Sequence, residues 1–153
     1  MKRTGLIAIP LLMLGTLALA HGGATGIVKE RMDQMKSISN AMKTMAKMFR
    51  GEIAYDAAMV RTLAAGIGAS GGKALTDLFP GNSMDPPTEA RSAIWQDWEN
   101  FERQAFEMKR TAIALSEGAE NPGSRNDDGS PFRLFSELAG TCKSCHDDFR
   151  IKK

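Results

Sequence analysis

Near the end of the chain, Cys142-Lys143-Ser144-Cys145-His146 sets two thiols and an imidazole within five residues. On a helix, positions i, i+3 and i+4 share one face. Both sulfurs can then reach the vinyl groups of one porphyrin, while the histidine turns a ring nitrogen to its iron. C-x-x-C-H is the attachment pattern of c-type haem, with Cys142 and Cys145 as thioether donors and His146 as proximal ligand. A thioredoxin-like dithiol would want a preceding strand, and no alternating strand pattern exists. A zinc centre would need a fourth ligand, and His21, the one other histidine, lies at the far end of the chain.

Only seven residues follow His146 and none is methionine, so any group on the opposite face of the haem must come from another helix. The segment after residue 26 offers Met32, Met35, Met42, Met45 and Met48. A methionine row at helical spacing serves either as core filling or as a source of a ligand. Arg31, three after Val28 and four before Met35, sits on the same apolar seam. There it either pairs with a buried anion, for which a haem propionate is available, or snorkels to solvent.

Four amphipathic segments must position these groups. The first, about Gly26 to Arg50, carries Val28, Met35, Ile38, Met42, Met45 and Phe49 in steps of seven, three and four, and ends at Gly51. The second, about Asp56 to Leu75, places Val60, Leu63, Ile67 and Ala74 on one side. Gly66, Gly68, Gly71 and Gly72 are expected to fray its end. Thr88 is expected to cap the third, whose residues Ile94, Trp98, Phe101, Ala105, Met108, Ala112 and Leu115 form an a/d seam. Ser130 and Pro131 open the fourth, with Phe132, Phe135, Leu138, Cys142, Cys145 or His146, and Phe149 along one stripe. The fold expected is all-α, an antiparallel four-helix bundle with haem on its last helix.

The chain has 153 residues, the size of one domain, and two of its cations fall in the first twenty residues beside no acid. The formal charge of +2 therefore disappears in the remainder, which argues against nucleic acid as a partner. Residues 1–20 read as a signal peptide: Lys2 and Arg3, an apolar run from Leu6 to Leu17, and Ala18-Leu19-Ala20 as cleavage site. The expected mature domain is 21–153, exported to the periplasm and lacking any membrane span.

Arg31 with Met35, Gly51, Tyr55-Asp56-Ala57-Ala58, Phe79-Pro80-Gly81, Ile94-Trp95 and the run Gly140 to Arg150 resemble, in order and spacing, the cytochrome c′ family of class II c-type cytochromes. The resemblance spans the whole mature chain. It implies that Cys142 and Cys145 hold one haem c, that His146 binds iron, that Arg31 meets a propionate and that Met35 covers the distal face. It also implies that Glu89 lies near the haem edge and that Phe79 and Arg150 lie beside the proximal histidine. Met32 stands where members often carry glutamine. The family divides between five-coordinate members, whose distal face admits small gases such as NO or CO, and c-556-like members with a methionine as sixth ligand; Met35 suits either. The expected function is single-electron transfer with redox partner proteins, or gas binding, in a homodimer formed through the first two helices. Met48, Ile53 and Tyr55 are candidates for that surface. Peroxide or NO turnover is not expected, because only Asp33, Gln34 and Lys36 flank Met35 and none is a distal histidine.

Overall fold

A computed structural model describes residues 23–120 and 127–152. The proposed leader, and the cleavage site after Ala20, lie outside the described residues. Four long helices form an antiparallel bundle: α1 (Gly26–Phe49), α2 (Ala57–Ser70), α5 (Trp98–Gly118) and α6 (Pro131–Phe149). Two single-turn helices, α3 (Lys73–Thr76) and α4 (Ala93–Gln96), sit in the connection between α2 and α5.

Local chemistry sets most boundaries. At the end of α1, Gly51 takes φ +77°, its N–H bonds the carbonyl of Met48 at 3.0 Å, and Glu52 N–H bonds that of Lys47 at 2.9 Å. This is a Schellman closure, which needs the left-handed residue that glycine supplies. Asp56 caps α2 by accepting from Met59 N–H at 2.9 Å, and Ser130 caps α6 by accepting from Arg133 N–H, with Pro131 next.

Two expectations are corrected. The second helix stops at Ser70 rather than near Leu75, and Ala74 is exposed. Gly71 and Gly72 lie just past its end and pack against α5. A β-carbon at Gly71 would lie 2.9 Å from Lys109 Cβ, and Gly72 donates its N–H to Ala105 O at 2.8 Å. Small residues here let two backbones touch. The third long helix begins at Trp98, not at Thr88, because Asp97 leaves helical geometry at φ −131°, ψ 56°. Thr88 instead accepts from Ala90 N–H. That break turns Trp98 outward, to 38% exposure, whereas the rest of the seam is buried.

The core runs through Val60, Ala64, Ile67, Leu75, Ile94, Phe101, Ala105, Met108, Ala112, Leu115 and Leu138, with Met45, Met48 and Phe49 from α1. Met48 is thus core and cannot line an outer surface. Close packing joins α1 to α2, α2 to α5 and α5 to α6. Between α1 and α6 the ring contacts lie at one end, where Phe49 meets Phe132 and Phe135. Toward the other end the two helices are not packed in this way, and a cavity occupies the space.

Candidate haem site

The cavity measures about 560 Å³ and is mainly apolar, within the size expected of a small-molecule or cofactor pocket. One wall is α6, which presents Cys142, Cys145, His146 and Phe149. The facing wall is α1, which presents Arg31, Met35, Ile38 and Met42. Phe79, Glu89 and Arg150 close the edge. Every residue singled out in the sequence for cofactor binding lines this one space.

The two thiols are half-buried and unbridged. Burial pushes the Cys142 thiol up and lifts that of Cys145 to about 11, helped by Cys142 and Asp148. Redox-active dithiols have depressed values because a thiolate is their nucleophile; these are displaced the opposite way. Burial, with the nearby Arg150 guanidinium, lowers the His146 pKa against the opposing pull of Glu89 and Asp147. The imidazole is then neutral around pH 7 and keeps a lone pair to donate. Among the described residues, no group of three or more His, Cys, Asp and Glu side chains could by itself hold a metal ion.

Arg31 does not snorkel. It is 5% exposed, its guanidinium lies 4.6 Å from the Phe79 ring centroid, and it donates through Nη2 to Ser83 O at 2.7 Å. Burial lowers its pKa, partly opposed by Asp85. Its Nε and Nη1 have no hydrogen-bond partner. A buried cation with unmet donors at a cavity wall calls for a hydrogen-bond acceptor from the cavity side. A propionate carboxylate matches the guanidinium fork, so the residues present fit a haem.

The α6 wall is held firmly. Glu89 and Arg150 form an ion pair at 2.6 Å, and Arg91 N–H and Ile151 N–H bond Phe149 O and Glu89 O at 2.9 and 2.8 Å. The Arg91 guanidinium donates to Asp148 O at 2.8 Å, serving the open carbonyls at the helix end. From α5, Gln104 donates to the Asp148 carboxylate at 2.7 Å, and Phe101 meets Phe149 edge-on at 5.4 Å and Phe79 at 4.9 Å. Arg91, Gln104 and Ser83 were not singled out in the sequence, because their partners lie more than forty residues away along the chain.

Residues 26–150 match the sequence profile of the family Cytochrome C′. Cytochrome c′ of Rhodopseudomonas palustris is 34% identical over 143 residues, covering 91% of this chain and 93% of the relative. A solved structure of cytochrome c′ from Rhodopseudomonas palustris aligns at TM-score 0.72 and 31% identity, over 85% of this chain and 99% of that one. Cytochrome c-556 of Agrobacterium fabrum is 30% identical over 93% of this chain and 92% of its own length. A nitric oxide complex of a cytochrome c prime mutant from Alcaligenes xylosoxidans shares the fold at TM-score 0.67 and 22% identity, over 82% of this chain and 94% of that one.

Proposed function

The chain belongs to the cytochrome c′ family as a monohaem c-type cytochrome, and from that premise we propose a periplasmic protein that passes single electrons and keeps one face of a five-coordinate iron open to NO or CO. The observation that carries this reading is the cavity, with Cys142, Cys145 and His146 along one wall and half-buried Met35 along the other.

Each residue then has a task. Cys142 and Cys145 tether the ring as thioethers, and His146 donates its neutral ring nitrogen to the iron. Arg31 offers Nε and Nη1 to a propionate, and Phe79 backs the guanidinium. Arg150, paired with Glu89, holds a positive charge beside His146. Met35 covers the distal side with an apolar thioether that neutral diatomics pass more readily than anions. Haem c would supply, when bound, a one-electron ferric/ferrous couple and an iron able to take a small neutral ligand. Met35, Ile38 and Met42 give this stretch of the wall an apolar surface that suits a small neutral ligand.

The leader in residues 1–20 supports export. Self-association is proposed through the first two helices and the turn between them, where Ile53 and Tyr55 in the turn and Met59 in α2 are 43%, 40% and 43% exposed. The Alcaligenes nitric oxide complex lends weight to the gas-binding part of the reading. A second reading rests on Met35 and the Agrobacterium relative: a low-spin carrier of c-556 type with Met35 as sixth ligand. Visible spectra of the ferrous protein with and without CO decide between them. The proposal expects a high-spin spectrum that shifts with CO; a low-spin spectrum indifferent to CO would replace it with the Met35-ligated carrier.

A further inference from the structure

Between Asp33 and Glu52 the sequence contains no acidic residue, yet it holds Lys36, Lys43 and Lys47. Steps of seven and four put the three in one row on α1, within about 40° of each other around the helix axis. Lys29, seven before Lys36, extends the row to about 27 Å. All four are exposed.

Charge pairing sets this row apart. Elsewhere among the described residues the exposed lysines are matched: Lys73 with Asp77, Lys143 and Lys152 with Asp147. Lys29 is matched with Asp33. Lys36, Lys43 and Lys47 enter no ion pair among the described residues. In a chain whose charges sum to zero beyond residue 20, three cations in a row outside any ion pair form a local positive field.

The row also flanks the cavity. Lys36 lines it together with Ser39, Met32 and Met35, and Met32 is 42% exposed at that rim. An apolar contact ringed by charge is the composition of a transient docking patch. The opposite side of α1 buries Ile38, Met45, Met48 and Phe49 in the core, so no apolar stripe remains for insertion into a lipid surface.

We propose that the lysine row of α1 is the docking surface for an acidic redox protein, which exchanges one electron with the haem across the α1 rim of the cavity. The inference rests on the haem-protein reading above. Like-signed surfaces are repelled there and acidic ones are steered in, at a rate that falls with salt.

The mature holoprotein in its ferric state is mixed with fully reduced flavodoxin, an acidic one-electron donor, by stopped flow at several ionic strengths. One electron leaves the flavin hydroquinone, giving its semiquinone and ferrous haem. Lys43→Gln with Lys47→Gln is expected to slow this reduction about tenfold at low salt, with the difference vanishing at high salt. Lumiflavin semiquinone, an uncharged small donor, should reduce both proteins equally fast, which shows that the haem is intact. Lys73→Gln, a matched lysine on α3, serves as control and should change neither rate. Equal reduction of native and double-variant protein by flavodoxin at low salt, with the same salt dependence, would overturn the proposal. So would tight binding of the native protein to phosphatidylglycerol vesicles that the double variant loses, with flavodoxin kinetics unaltered. A haem that neither donor reduces would instead count against the electron-transfer function itself.

Discussion

The two walls of the haem cavity are built differently. The α6 wall is tied from several sides: Ser130 caps its start, Arg91 and the Glu89–Arg150 pair strap its end, and Gln104 and Phe101 fix it to α5. The facing part of α1 has fewer ties. Gln34 donates to Ser70 O at 2.8 Å, Arg31 reaches Ser83 O, and the ring contacts with α6 lie at the far end around Phe49. The bonding wall is over-determined, which keeps two sulfurs and an imidazole in register. The facing wall is held by α2 and by side chains that reach into the cavity, so under the proposed function a change there should act on ligand entry more than on the tether.

Breaking the tether should have the largest effect. Cys142→Ala with Cys145→Ala is expected to abolish covalent attachment, so that acidified acetone extracts all pigment and the polypeptide precipitates colourless. Next comes the support of that wall. Phe101 is 2% exposed and touches Phe79, Trp98 and Phe149. Phe101→Ala should cost about 3–5 kcal/mol in denaturant unfolding. An equal change at the covering wall should leave stability nearer to native and appear in kinetics instead. Met35→Ala is expected to speed CO entry about tenfold, or ~1.4 kcal/mol in barrier, measured by flash photolysis. An unchanged rate and spectrum would remove Met35 from the distal face. The smallest effect is expected at the rim of the same wall. Arg31→Leu takes away a cation that disfavours the ferric state, so the midpoint potential should fall, by about 30 mV if the equilibrium shifts threefold. Its dependence on pH should change as well. A potential unchanged by the substitution would mean that Arg31 does not meet the propionate.

Sequence patterns carried the ends of the bundle well and its middle poorly. The turn after α1 and the start of α6 were legible because Gly51, Ser130 and Pro131 act through their own backbone and near neighbours. The stops at Ser70 and before Trp98 were not. Gly71 and Gly72 look like helix breakers in isolation and prove to be contact points with Lys109 and Ala105, a long-range fact. Asp97 interrupts a 4-3-4 rhythm that continues unbroken in the letters. At the site, Cys142, Cys145 and His146 were legible from spacing, and Arg31 from its place on an apolar seam. The bonds that steady them come from Ser83, Arg91 and Gln104, whose meeting with α1 and α6 no local pattern encodes.

Every role assigned to the cavity depends on one porphyrin bonded to α6 through two sulfurs and served by one imidazole. Intact-mass spectrometry of the denatured protein, produced from the full 153-residue sequence in a host that matures c-type cytochromes, is the decisive test. The expected product is a red polypeptide heavier than its amino acids by one haem, with Cys142 and Cys145 both resistant to alkylation. A colourless chain of bare polypeptide mass, with both thiols open to alkylation, would contradict it.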